Sequence, residues 1–295
     1  MGHFDATWKD AIHLHCREFL EFFFPAIATR VDWAAKPVML DGELRKFAPR
    51  SKAGGRHADA LMRLQMLDGE AFFALVHVEV QSQVDPAFAL RMAQYHWRIR
   101  DHYQSERVCS LAILGDLSPE WRPGCYESDF LGGSLRFDFP MCKLLDLPDW
   151  PQDRFNPFAW LVAAHPKAQR HRRKPRLRLG AKVELIRELY RALSPGQVRS
   201  FFRLIDGVLV LPDELSYDFL TQVKGIEEEH NVVYLNSIER ILLKEAKVEA
   251  RAENTLELAR AMLADGLELE RVCRITGLSP DQLRAAELPG ADERS

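Results

Sequence analysis

The chain has no CxxC pair, no HExxH helix, no glycine-rich phosphate loop and no dinucleotide fingerprint. Zinc-finger, metalloprotease, P-loop and Rossmann chemistries are therefore without a motif to carry them. No Ser/His/Asp or Cys/His arrangement suggests nucleophilic catalysis. Its five cysteines, Cys16, Cys109, Cys125, Cys142 and Cys273, are odd in number and widely spaced. That excludes a closed disulfide framework and is what a reduced, intracellular protein would show. The opening stretch "MGHFDATWKDAIHLH" lacks a basic segment followed by an apolar core, so no signal peptide is read there. The most apolar run, "FLEFFFPAIA", is interrupted by Glu21 and Pro25 and is too short for a membrane span. A cytoplasmic location without a membrane partner is expected. Excess positive charge is also missing. With a net charge of −3, any nucleic-acid contact must come from a local patch.

What is present is a chain of 295 residues, 47% hydrophobic, enough for one large domain or two modest ones. Residues 5–24 show helical spacing through Trp8, Ile12, Phe19, Phe22 and Phe23, with Pro25 as the stop. Residues 31–56 read as irregular. Residues 57–83 read as a β-hairpin, and 86–105 as a helix with Phe88, Met92, Tyr95 and Ile99 on one stripe. Residues 108–117 suggest a buried strand and 134–147 another, bent at Pro140. Beyond about residue 150 the pattern becomes helical, in segments 151–225 and 226–295. The expectation is an α/β core over 1–150 followed by a large helical region.

The hairpin's register follows from its hydrophobic pattern. If paired residue numbers sum to 138, one face holds Ala58–Val80, Ala60–Val78, Met62–Val76, Leu64–Ala74 and Met66–Phe72, all apolar. A shift by one puts His77 opposite Ala60 and breaks that face. The chosen register requires an odd-length turn around Asp68-Gly69-Glu70. It also sets Asp59 opposite Glu79, with Gln81 next along the same face.

Two carboxylates side by side repel, which calls for a compensating cation. One reading is a divalent metal held by Asp59, Glu79 and the Val80 carbonyl, since hard cations take oxygen ligands. Such an ion would activate a water, oriented by Gln81, and stabilise charge growing on a phosphate. The other reading is an ordinary polar strand face, with Arg63 as the counter-charge.

A set of segments in order along roughly residues 5–245 resembles one family: "ADALMRL", "LVHVEVQSQVDPAFALRMAQYHWRIRDHY", "SLAILGD", "WRPGCYES", "CKLLDL", "NPFAWLVAAH", "RLIDGVLVLP" and "NSIERI". The chain resembles the Rpn recombination-promoting nucleases, also labelled transposases, of the PD-(D/E)XK nuclease superfamily. The resemblance implies an αβββαβ core, a Mg²⁺ or Mn²⁺ cofactor and DNA as the partner. It makes Asp59 the motif's Asp, Glu79 its Glu, and Gln81 the residue at the usual Lys position. Arg91 and Tyr95, four apart on a helix, fall at the family's "RM..Y" motif and would face a phosphate; helix packing plus a surface ion pair explains them equally well. Glu18 and Glu43 are candidate further ligands, each also readable as an exposed charge. Gln81 supplies a dipole where lysine would supply a charge, so its electrostatic help should be weaker.

The run "KAQRHRRKPRLR", 167–178, offers Arg170, Arg172, Arg173 and Lys174 for DNA contact, or is a solvated loop between helices. The tail has helix–turn–helix grammar: a helix ending at Thr276, then Gly277, with Ser279, Pro280 and Gln282 starting another. It reads first as a docking or dimer element and second as a DNA reader. The charged helix around 237–265 is a candidate surface for homo-oligomers. Together with these residues, the resemblance implies a metal-dependent DNA endonuclease linked to recombination or mobile elements. The alternative is an inactive DNA-binding or self-assembling protein that keeps the fold.

Overall fold

The computed structural model describes residues 3–41, 58–67, 73–230, 259, 262–263 and 269–276. The chain divides into two compact units, residues 1–211 and 212–295. Residues 151–211, expected as a separate helical extension, share the first unit with the sheet.

The first unit opens with α1 (His3–Leu14) and α2 (Cys16–Phe23). One continuous helix was expected. His15 leaves the helical region at φ −133°, ψ 44°, yet 2.9 Å bonds from His15 N to Ala11 O and from Phe19 N to His15 O carry the ladder across it. The result is a bent pair whose Trp8, Ala11, Ile12, Phe19, Leu20 and Phe23 are buried. Pro25 does not simply stop α2. It begins a further short helix, α3 (Pro25–Ala28), where its fixed φ and missing N–H suit a first turn.

The main sheet has β1 (Val38–Met39), β2 (Ala58–Gln65), β3 (Phe73–Gln81), β4 (Val108–Leu114) and β7 (Met141–Lys143), adjacent in that order. β1, β2 and β3 run antiparallel; β3–β4 and β4–β7 are parallel. The β2–β3 register is the one the hydrophobic pattern predicts, from Ala58↔Val80 to Gln65↔Phe73. Pairings at Leu67–Ala71 and Met66–Phe72, and the turn at Asp68-Gly69-Glu70, lie outside the described residues. Ala60, Met62, Leu64, Val76, Val78 and Val80 are all buried. Between the parallel strands runs α4 (Phe88–Tyr103), whose stripe Phe88, Met92, Tyr95 and Ile99 is buried as expected.

The expected bent strand at 134–147 is two strands in two sheets. β6 (Gly133–Asp138) pairs with β5 (Cys125–Phe130) as a separate hairpin, while β7 closes the main sheet. Pro140 has no N–H to give a ladder, but its carbonyl accepts from Ala112 N at 3.0 Å and guides the chain into β7.

Three helices complete this unit: α5 (Pro157–Arg170), α6 (Pro175–Ala192) and α7 (Pro195–Val208). Asn156 caps α5 by accepting from Phe158 N at 2.9 Å. Its amide also donates to the Glu18 carbonyl at 3.0 Å, fixing α5 to α2. Ser194 and Gln197 form a capping box at α7. In the second unit, α8 (Ser216–Glu229) and α9 (Leu269–Thr276) are described, and Ala259 and Val272 are buried together. Most of the charged helix expected over 237–265, and the turn and second helix expected from Gly277 on, lie outside the described residues.

Candidate active site

Alternate residues of β3 turn toward α4. Leu75 packs with Leu61, Tyr95 and Ile99, and the next three positions on that face, His77, Glu79 and Gln81, are polar and buried. Glu79 has no exposed surface. A charge so placed is tolerated only with a partner.

The partner is Arg91, from the first turns of α4. Its Nε donates to Glu79 Oε1 at 2.7 Å. One terminal nitrogen donates to Gln81 Oε1 at 2.8 Å, and the other to the Asp85 carboxylate. The Gln81 amide is itself oriented, donating to the Gln83 carbonyl at 2.8 Å. Burial works against the charge on Arg91, but the carboxylates of Glu79 and Asp85 outweigh it and raise the guanidinium pKa. The cation that offsets the acids is thus Arg91. Arg63, the counter-charge weighed from sequence, is exposed and lies over the Phe73 ring at 4.7 Å.

Asp59 stands directly opposite Glu79 in the β2–β3 ladder, on the same sheet face by register. Val80 sits in the central strand, laddered to Ala58 on one side and Ile113 on the other. Among the described residues, no group of three or more His, Cys, Asp or Glu side chains is placed to hold a metal ion; the side chain of Asp59 is outside that set.

Tyr95 is buried, its ring centroid 5.0 Å from that of His77. His77 is fully buried, and neither ring nitrogen has a hydrogen-bond partner. Burial first, then the charges of His96 and Arg91, push its pKa down to about 3. His96, on α4, shares a 3.2 Å contact with the Ser110 hydroxyl; burial and Arg100 lower its pKa to about 4.

The ends of β3 and β4 are tied from below by α5. Gln169 donates to the carbonyls of Ser82 at 2.9 Å and Gly115 at 2.6 Å. A Cβ on Gly115 would stand 2.5 Å from His165 Nε2, so only glycine permits this approach. Just beyond β4, Asp116 and Lys143 form a second buried ion pair at 2.6 Å, with the Trp121 carbonyl as a further acceptor at 3.1 Å.

Other residues singled out from sequence lie apart from this cluster. The Glu18 carboxylate is 42% exposed and 4.0 Å from His15, while its backbone carbonyl holds Asn156. Glu43 is outside the described residues. Arg170, Arg172, Arg173 and Lys174 form an exposed turn between α5 and α6. Arg178, in the same run, instead braces the fold, donating to the carbonyls of Val210, His171 and Arg172. Sequence reasoning gave no role to Asp85, hidden in a loop before Pro86, or to His77. For His77 a signal was present, since it shares the face of Glu79; Asp85, six residues before Arg91 and ahead of the helix, gave none.

A mixed α/β unit with a buried acid–arginine cluster is the frame in which the comparisons fall. Residues 252–287 match the family model described as "Rpn/YhgA-like nuclease family, C-terminal HTH domain". The match covers that C-terminal segment alone, which is therefore similar to the family's helix–turn–helix domain. The family model's description names a nuclease family and a helix–turn–helix domain. No curated protein and no solved structure matches the chain. No helix among the described residues is long and apolar enough to cross a membrane.

Proposed function

We propose that the chain is a divalent-metal-dependent DNA endonuclease of the PD-(D/E)XK type, hydrolysing phosphodiester bonds in recombination or on mobile elements. One observation carries the reading: Asp59 lies opposite Glu79 on adjacent strands, with Gln81 two residues on and Arg91 over the same face. The order of helices, three strands, helix and strand is compatible with an αβββαβ core and supports the reading.

In this reading Asp59, Glu79 and the Val80 carbonyl would hold Mg²⁺ or Mn²⁺. When bound there, such an ion would supply Lewis-acid activation of a water and charge stabilisation at the phosphoryl oxygens. The chain's own residues do the rest. Gln81, whose amide is held between the Gln83 carbonyl and Arg91, would orient the attacking water with its remaining hydrogen-bonding capacity. Arg91 is a bidentate donor whose fork suits a phosphate as well as a carboxylate. The exposed cations Arg170, Arg172, Arg173 and Lys174 supply sequence-independent backbone affinity. The glutamine at position 81 brings no charge to the transition state, so the chemical step is slow relative to a lysine-bearing site.

A second reading has one observation in its favour. Arg91 already engages Glu79 and Gln81, which is how a non-catalytic DNA-binding protein that kept the fold would stabilise a former site. Supercoiled-plasmid nicking with Mg²⁺ or Mn²⁺ separates the two. Nicking by the native chain, lost in both Asp59→Ala and Glu79→Ala, supports the nuclease. Activity equal in all three proteins, or absent from the native chain, supports the second reading.

A further inference from the structure

The helices on the other side of the main sheet enclose a groove for which the chemistry above has no use. Met62 is on the sheet face away from Glu79, and its sulfur meets Cys16 Sγ of α2 at 3.3 Å. α1 packs on β2 beside it. Between α1 and α7 lies a groove of about 590 Å³. α1 lines it with Thr7, Asp10 and Leu14, and α7 with Arg199, Ser200 and Arg203. Glycine sets how closely the two helices approach: a Cβ on Gly207 would stand 2.4 Å from Thr7 Oγ1.

Arg199 and Arg203 are one helical turn apart and exposed, and among the described residues neither has an ion-pair or hydrogen-bond partner. Like charges at that spacing repel. The charged groups nearby leave them so. Lys9 and His13 are taken by Asp41, whose other oxygen accepts from Leu61 N at 2.8 Å. Asp10 lines the groove from α1 but pairs with neither arginine. We propose that this groove binds a phosphodiester group, held between Arg199 and Arg203 with the Ser200 hydroxyl as a further donor. Two guanidinium forks match the several oxygens of a phosphate. Asp10 decides the class of phosphate. A phosphomonoester carries nearly two negative charges at neutral pH and a diester carries one, so an acid across the groove opposes the monoester more. Leu14, 73% exposed, offers an apolar edge to the organic part of the ester. A nucleic-acid strand and an isolated dinucleotide both present such a group. The groove is on the far side of the sheet from Glu79 and Arg91, so it does not depend on whether those residues serve a metal.

The test is fluorescence anisotropy of the full chain with a labelled oligothymidylate, in chelator so that no cleavage intervenes, over a series of salt concentrations. Arg199→Gln and Arg203→Gln should each weaken binding by about threefold. Each should also reduce the slope of log K against log salt by about 0.7. Asp10→Asn should tighten binding, a gain that misfolding cannot produce. Calorimetry with thymidylyl-(3′→5′)-thymidine and with thymidine 5′-monophosphate then separates the sources. Dinucleotide binding that both arginine variants weaken assigns the groove to a small diester; an effect on the oligomer alone assigns it to a strand. A monophosphate preferred over the dinucleotide, or no gain in Asp10→Asn, overturns the choice of a diester. Binding that matches the native chain in both arginine variants, or a native chain that binds neither probe, overturns the proposal. With no metal present, failure here leaves the nuclease reading untouched, and failure of plasmid nicking leaves this one untouched.

Discussion

Arg91 and Arg136 each bridge two carboxylates beside a β-hairpin, and their settings are opposite. Arg91 holds Glu79 and Asp85 with 12% of its side chain exposed. Arg136 holds Glu127 across the strand pair and Asp138 on its own strand, with 62% exposed. The hydrogen-bond chemistry is the same and its thermodynamic weight is not. Water already solvates Arg136 and its acids, so closing those pairs gains little. Glu79 has lost its water, so removing its partner strands a charge in the interior. The hairpins differ in the same way. β2–β3 is pinned by a buried apolar face. β5–β6 has an exposed tip, where Leu131 and Gly132 take φ values of 49° and 82°. Positive φ at both positions marks a primed turn, which costs leucine strain that glycine escapes.

The largest effect should separate the two arginines directly. Arg91→Ala should lower stability to urea by about 3–5 kcal/mol, while Arg136→Ala should leave the urea midpoint unchanged. Equal midpoints for the two variants would erase the distinction. Next in size is the response to acid. His77 and His96 have folded pKa values of about 3 and about 4, below the ordinary 6.5. Between those values the unfolded chain binds more protons than the folded one. Their contribution is therefore complete above about pH 6.5 and is lost as pH falls toward 4. Urea midpoints measured downward from neutrality should fall, and His96→Gln should make the slope shallower. A slope unchanged by that substitution would mean that other groups dominate. The smallest effect belongs to the exposed tip. Leu131→Gly should relieve about 1 kcal/mol of backbone strain and slow amide exchange in β5–β6 without changing β2–β3. Faster exchange at the tip would show that leucine is not strained there.

Burial also decides what could be read from sequence. The β2–β3 register was legible because one face must be apolar, and a slip by one residue exposes it. The stripe on α4 was legible for the same reason. β5 was missed because "CYESDF" is largely exposed and carries no alternation. The bend at His15 was missed because both helices keep one apolar face through it. In the site, pairing placed Asp59, Glu79 and Gln81 together on one face. The role of Arg91 was only half seen. Its position on α4 was plain, but its inward direction depends on where α4 crosses the sheet, and that is set by tertiary packing. Asp85 was passed over because the loop before Pro86 gives no periodic signal. Gly115 carried no mark of its tight approach to His165, since that contact joins residues fifty positions apart.

Glu79, Gln81, Asp85 and Arg91 all lie on one short span of chain that includes their counter-charge. A guanidinium tethered this way is present at an effective concentration set by the polypeptide, not by the solution. Dialysis and chelators cannot strip it out, so the fold around these acids does not depend on a supply of ions, as a metal-nucleated domain does.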